Sequence, residues 1–304
     1  MKRYFEFKGI FPSPLARVGV GLLLLLYLLS GCQEVGPTID LSNGNRNALA
    51  DTSYIESPVQ TPEVKNVFVE DFTGIQCANC PLAQTQLENL RTANAGRVIG
   101  ISYHTSFLDN PLPESKQLLT TTTANGVQTY LGDPGYKPNG AVDRVLQTSV
   151  VPAAICDDYT NWTTYVNTAL SNTTPVNINI THPYNASTRE LTIIVELHYT
   201  SAQADSNKLG IYLSEDSIIT AQELPSTAID TNYIHQGVFR VAVTNILGDK
   251  INYNLTAGTV VRKTYKVTLP ATPWKPEHMH IVAFVHRYQN GNKNILQTKT
   301  STVL

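Results

Sequence analysis

Hydrophobic and polar positions divide the chain into four textures. Val18 to Leu29 form an apolar core behind Lys2, Arg3, Lys8 and Arg17. That core is too short to span a bilayer comfortably, so residues 1–31 read as a targeting segment. Residues 32–62 are rich in Asn, Ser, Thr, Asp and Pro and almost lack aromatics, the composition of a flexible tether. Strand and helix patterns begin at residue 63. Val67, Phe68, Val69 and Phe72 predict a strand that breaks at Thr73-Gly74. Pro81, tolerated in a first helical turn, is followed by Leu82, Ala83, Gln86, Leu87 and Leu90 at a helical period. Arg97 to Tyr103 predicts a buried strand, Pro113 to Thr123 a helix, Ala141 to Val145 a strand and Ala153 to Ser171 a last helix. This alternation predicts an α/β layered domain over residues 63–172.

From Pro175 the period changes to two. Val176, Ile178 and Ile180 alternate with polar residues. Leu191–Tyr199, Leu209–Leu213, Val238–Val243, Thr259–Leu269 and His280–Tyr288 repeat the pattern between Asn, Gly, Asp and Pro clusters. Short strands at this spacing predict an antiparallel, immunoglobulin-like β-sandwich over residues 173–304. The expected fold class is therefore α/β plus all-β, in two domains.

Charge and motifs narrow the function. The 304 residues carry 22 Lys and Arg against 24 Asp and Glu, a formal net charge of −2 that becomes −5 without the targeting segment. No basic cluster offers to neutralise phosphates, so no nucleic-acid partner is expected. Gly135 to Gly140 lacks the Gly-Lys-Ser/Thr ending of a phosphate loop. Neither a Gly-x-Ser-x-Gly elbow nor a metalloprotease helix signature occurs. No cofactor and no metal are indicated.

The chemistry that stands out is sulfur. Cys77 and Cys80 lie where a strand hands over to a helix. The free amides and dipole of a helix N-terminus favour a thiolate, lowering a thiol pKa from about 8.5 to roughly 3.5–7.5. Cys77 on the loop side is expected to be the exposed nucleophile and Cys80 the resolving thiol. The alternatives are a disulfide that merely pins the loop, and zinc, for which one Cys pair falls short of four ligands. His104, at a strand end, is a candidate to help such a zinc site or an ordinary strand-end histidine. Cys156 reads as a half-buried free thiol or as a third redox thiol. His278, His280 and His286 share one face of an extended strand but are spread too far along it for a single metal. Tyr233, His235 and Arg240 form a candidate binding patch, or loop packing.

Three resemblances add expectations. Leu29-Ser30-Gly31-Cys32 resembles the bacterial lipobox, which implies lipidation of Cys32 and membrane attachment through several acyl chains. Asp71-Phe72, six residues before Cys77, with Cys77-Ala78-Asn79-Cys80 opening a helix, resembles the thioredoxin superfamily. The resemblance implies that Asp71 is the buried carboxylate that takes the proton of Cys80. It also implies that Gly135-Tyr136-Lys137-Pro138-Asn139-Gly140 is the cis-proline loop, where Pro138 exposes backbone groups to a substrate strand. Gln76 replaces the usual tryptophan, and Ala78-Asn79 the usual Gly-Pro. The whole chain resembles the outer-membrane-protein-28-related lipoproteins of Gram-negative bacteria. The segments Glu70 to Pro81, Pro138 to Arg144 and Tyr233 to Arg240 carry that resemblance. It implies an outer-membrane or surface lipoprotein, a family to which adhesin or receptor roles are ascribed. Asp216-Ser217-Ile218 resembles a short O-glycosylation signal of some Gram-negative anaerobes. Two functions are thus expected: a lipid-anchored thiol–disulfide oxidoreductase acting on a protein partner, or a binding lipoprotein that recognises a surface ligand on a thioredoxin-like scaffold.

Overall fold

The computed structural model describes residues 50–304, so the targeting segment and Cys32 lie outside the described residues. In chain order these form β1 (Ala50–Ile55), β2 (Val67–Thr73), α1 (Cys80–Ala93), β3 (Val98–His104), α2 (Thr122–Leu131), β4 (Asn139–Val142), β5 (Cys156–Asp158) and α3 (Trp162–Leu170). Then come β6 (Val176–Thr181), β7 (Tyr184–Asn185), β8 (Glu190–Tyr199), β9 (Asn207–Glu215), β10 (Ile218–Glu223), β11 (Ile229–His235), β12 (Val238–Ala242), β13 (Asp249–Lys250), β14 (Thr259–Thr268), β15 (Met279–Arg287) and β16 (Ile295–Thr302).

One sheet draws strands from both halves of the sequence, in the order β16-β15-β9-β12-β3-β2-β4-β5, with β13 added on β9. The pairs β2–β3 and β3–β12 are parallel and the others antiparallel. A second sheet runs β1-β14-β8-β6, with β7 on β8. The expected boundary at residue 172 therefore does not divide one sheet from another. The reason is backbone satisfaction. Strand β3 is buried throughout, so its amides on the edge away from β2 need partners. The Ser102 amide donates to Gly237 O at 2.8 Å, at the head of β12.

Side chains of the long sheet separate into two faces, as the strand period requires. One face buries Phe68, Phe72, Ile101, Tyr103, Tyr212, Phe239 and Phe284 under α2, which contributes Ala124, Val127 and Leu131. On the other face, Val67, Val69 and Val98 pack against Ala83, Leu87 and Leu90 of α1 and Trp162 and Val166 of α3. Further along, Leu209, Ile211, Leu213, Ile281 and Val285 pack against Val176, Ile178, Ile193, Val195 and Leu197 of the second sheet. Two sheets thus pack face to face in the β-rich second half, and one of them also contains the strands of the first half.

Three local expectations are corrected. No helix covers Pro113–Thr123: the helix is α2, which starts where the Thr121 side chain accepts a hydrogen bond from the Ala124 amide at 3.0 Å. The Thr-rich stretch before it has little helix propensity, and Thr supplies a cap more readily than an interior. The last helix is shorter than Ala153–Ser171, because Cys156–Asp158 instead extend the sheet beside β4. Within the expected tether, residues 50–55 form an edge strand in register with Thr259–Thr264. Residues 51–54 are all exposed, so backbone pairing places this strand without an apolar period to announce it.

Gly140 marks a tight contact between two layers. A Cβ there would lie 2.3 Å from Glu70 O and 2.5 Å from the Trp162 ring. Gly140→Ala is expected to cost about 1–3 kcal/mol, because β2 and α3 must both move. Urea unfolding of the variant measures this, and an unchanged midpoint would show that the layer yields freely.

Candidate functional site

Strand β2 ends at Thr73 and the chain turns through Gly74–Asn79 into α1. Cys77 and Cys80 are joined in a disulfide with Cα atoms 5.3 Å apart, and the Cys80 amide donates to Cys77 O at 3.0 Å. Cys80 is the first residue of α1 and Pro81 follows in the first turn, as the sequence suggests. The pair therefore sits at the positive end of a helix dipole. Cys77 is not exposed, however. Both cysteines are only 2 % accessible.

The cover is the β10–β11 hairpin, a two-stranded element separate from both sheets. The Gln222 side-chain amide donates to Gly74 O at 3.3 Å and to Cys77 O at 3.1 Å. The Glu223 amide donates to Ile75 O at 2.8 Å. Ile218 joins an apolar cluster with Ile75, Leu119 and Val238. From α1, Gln84 Nε2 donates to Ile234 O at 3.2 Å.

Asp71 lies on the same side of β2 as Val67 and Val69, the side that packs on α1. Its carboxylate is buried. Ser102 Oγ donates to Oδ2 at 3.2 Å, and Oδ1 makes no hydrogen bond within the protein. Burial pushes its pKa from 3.8 up to about 7, against the opposing pulls of the Ser102 hydrogen bond and the Lys137 charge. Lys137 Nζ donates to the carbonyls of Thr73 at 2.5 Å, Thr105 at 2.9 Å and Phe107 at 2.5 Å. Burial lowers the Lys137 pKa to about 8, with Asp109 and Asp71 pulling it back up. The Lys137–Pro138 peptide is cis, and buried Pro138 leads into β4, where Asn139 pairs with Phe72.

A second polar network holds the Cys loop from beneath. Asp109 Oδ1 accepts from the Ile75 amide at 2.7 Å and lies 2.8 Å from His104 Nδ1. Oδ2 accepts from the Thr120 hydroxyl. Burial raises the Asp109 pKa, but His104 and these hydrogen bonds outweigh it and leave a lowered value. The His235 ring, on the hairpin, meets the His104 ring at 5.2 Å between centroids. Burial, then the nearby His104, push the His235 pKa down to about 3.

The remaining candidates go elsewhere. Cys156 is a free, buried thiol in β5, packed in the α2 face of the sheet, the face opposite α1. Burial raises its pKa well above the usual thiol value, so the geometry favours the inert reading of this residue. His278 lies in a short turn, His280 pairs with Asp216 at 2.9 Å, and buried His286 contacts Arg287 O at 2.7 Å. Tyr233 and His235 meet edge to face with ring centroids 4.8 Å apart, whereas Arg240 turns to Glu215 at 2.7 Å. Of that patch only His235 and Tyr233 border the site. Asp216 accepts from the Gly237 amide at 2.6 Å. Two clefts of about 600 Å³ and about 590 Å³ lie away from the disulfide and are not lined by either of its cysteines.

Sequence reasoning missed Ser102, Lys137, Asp109 and Gln222 as members of this site. Ser102 had a signal, since its register opposite Asp71 on β3 follows from pairing two predicted strands. Gln222 had none, because the hairpin that carries it shows no clean period.

The Omp28 outer membrane protein family model matches residues 128–303, more than half of the chain. No curated protein matches it. Among solved structures the chain is similar to HBP35 of Porphyromonas gingivalis, at 18 % identity and a TM-score of 0.61 over 78 % of this chain and 75 % of that one. It is also similar to a protein of Agrobacterium tumefaciens solved by X-ray crystallography, at 15 % identity and a TM-score of 0.50 over 80 % and 97 % of the two chains. A domain of the outer membrane lipoprotein Omp28 from Porphyromonas gingivalis aligns at 19 % identity and a TM-score of 0.30 over 42 % of this chain and 88 % of that one. Identities this low speak to shape alone. It is the family match that places the protein: this chain belongs to the Omp28 family of outer membrane proteins.

Proposed function

We propose that this protein is an outer-membrane lipoprotein, attached through acyl chains on Cys32, whose thioredoxin-like layer exchanges disulfides with a protein partner through Cys77 and Cys80. Among the described residues no helix is long and apolar enough to cross a membrane. The observation that carries the reading is the disulfide in the first turn of α1, with the buried Asp71 carboxylate on the same side of β2. The parallel β2–β3 pair flanking α1 and the Pro138 loop beside β2 support the thioredoxin-like assignment.

Starting from the disulfide, a partner thiolate attacks the Cys77 sulfur and the Cys77–Cys80 bond breaks. Cys80 leaves as a thiolate and takes a proton from Asp71, whose pKa near neutrality suits that transfer. A second partner thiolate then attacks the partner's own sulfur in the mixed disulfide. It releases Cys77 and leaves the partner oxidised and the Cys pair reduced. The reverse sequence reduces a partner disulfide. Cys80→Ser removes the resolving thiol, so mixed disulfides through Cys77 are expected to accumulate in cells. Non-reducing gels and mass spectrometry read them out. An empty trap in cells that express the variant would overturn the exchange reading.

A second reading rests on burial. Two sulfurs that are 2 % accessible also suit a fixed staple in a binding lipoprotein. There, Cys77→Ser with Cys80→Ser leaves ligand binding intact and lowers thermal stability.

A further inference from the structure

The hairpin over the disulfide is built as an addition to the sheet. Strands β9 and β12 pair directly across its base, with Glu215 opposite Val238. The sheet therefore closes without residues 218–235. Both ends of the excursion sit at left-handed backbone positions, Ser217 at φ 59° and Gly237 at φ 62°. The base is tied independently of the arm. Asp216 Oδ1 accepts from the Gly237 amide at 2.6 Å, and the Gln236 side chain accepts from the Ser217 amide at 2.9 Å.

The arm reaches the Cys loop with the contacts an incoming peptide would use. One backbone N–H, that of Glu223, meets Ile75 O, and one side-chain amide, that of Gln222, spans Gly74 O and Cys77 O. One apolar side chain, Ile218, fills the seat between Ile75, Leu119 and Val238. Thr220, Ala221 and Gln222 are buried, whereas Ile219 and Ile234, opposite each other on the outer side, are 47 % and 49 % exposed.

We infer that the β10–β11 hairpin is a displaceable cover that holds, within the same chain, the place of an extended polypeptide substrate, so that the Cys77–Cys80 disulfide reacts only when the hairpin lifts. Lifting frees Ile75 O, takes the second donor from Gly74 O and Cys77 O, which keep the Cys77 and Cys80 amides, and opens one apolar seat. An extended segment next to a partner cysteine matches them: its backbone amide takes Ile75 O, and an aliphatic side chain replaces Ile218. Main-chain pairing gives affinity and the seat gives selectivity. The substrate part of this inference rests on the exchange reading above, and the cover does not.

The test is the rate of reduction of the intact disulfide by dithiothreitol, followed by alkylation of released thiols in the purified full chain. A dithiothreitol thiolate displaces one cysteine as thiolate. Its second thiol then closes a ring, giving two protein thiols and oxidised dithiothreitol. The unaltered protein is expected to react slowly. Gln222→Ala deletes two hydrogen bonds of the closed state and is expected to react about tenfold faster, since the two together hold the closed population by about that factor. The acceleration should be insensitive to urea below the unfolding transition, because a local opening exposes little surface. Replacing residues 218–235 with a short Gly-Ser turn should give the rate of an open disulfide. If that variant does not fold, native-state hydrogen exchange replaces it: the Glu223 amide should exchange faster than amides of β9 and β15. Equal rates for Gln222→Ala and the unaltered protein, or reduction that tracks global unfolding, would overturn the cover. An accelerated Gln222→Ala with an empty Cys80→Ser trap keeps the cover and removes the substrate role.

Discussion

Arg144→Ala is expected to lower the unfolding free energy by about 3–5 kcal/mol, the cost of stranding one partner of a buried ion pair. Arg144 is 1 % accessible, and its Nε and Nη2 each lie 2.7 Å from the two carboxylate oxygens of Glu70. Tyr103 donates its hydroxyl to the same carboxylate at 3.0 Å, and the guanidinium stands 4.8 Å over the Phe284 ring. Truncation leaves Glu70 charged inside an aromatic cluster and opens space beneath Phe284. Urea unfolding followed by circular dichroism measures the loss. The double variant Glu70→Gln with Arg144→Met should recover much of it, because no uncompensated charge remains. A single variant that costs less than about 1 kcal/mol would mean that water reaches the pair. The pair also joins two segments singled out in the sequence, Glu70 to Pro81 and Pro138 to Arg144, which are neighbours through β2 and β4.

Asp71→Asn is expected to act in the opposite direction, raising stability at alkaline pH. The folded protein holds the Asp71 proton up to a pKa of about 7, whereas the unfolded chain releases it near the ordinary 3.8. Between those values the folded state binds more protons, so this group's contribution falls as pH rises from about 4 to 7 and is flat above. Asn carries no such burden. The gain is expected to be on the order of 4 kcal/mol at pH 8 and near zero at pH 4. Paired urea titrations at the two pH values check it, and equal gains at both would rule out a buried, proton-hungry carboxylate. On the exchange reading the same variant removes the proton donor to Cys80, so it should be more stable and slower to react.

How much of this was legible beforehand divides by the kind of force involved. Strands β2, β3, β6, β8, β9, β12, β14 and β15 were written in apolar residues at period two or in buried runs, because their side chains face a core on one or both sides. The cysteine pair at the head of α1 was readable from Pro81 and the leucine period behind it. Strand β1 was not, because backbone bonds to β14 hold an exposed polar strand in place. The hairpin was hidden for a related reason. Its inner face is mixed, with Thr220, Ala221 and Gln222 buried together against a polar loop. The same hairpin bonds the carbonyls of the Cys loop, and the exposure expected of Cys77 is not found: the residue is buried. The shared sheet was invisible as well, since a parallel pairing between Ser102 and Val238 leaves no trace in local composition.

That shared sheet bears on how such a chain could have arisen and diversified. The span matched by the family begins at residue 128, beyond β2 and β3, yet these two strands lie between β12 and β4 in the middle of the sheet. Excising residues before 128 would leave a slot two strands wide, not a free-standing module. Recombination between genes could not swap the cysteine-bearing half for another without also supplying a fresh companion to the lateral edge of β12. Any change that shifts β3 is therefore passed on to β12 through their shared backbone pairing.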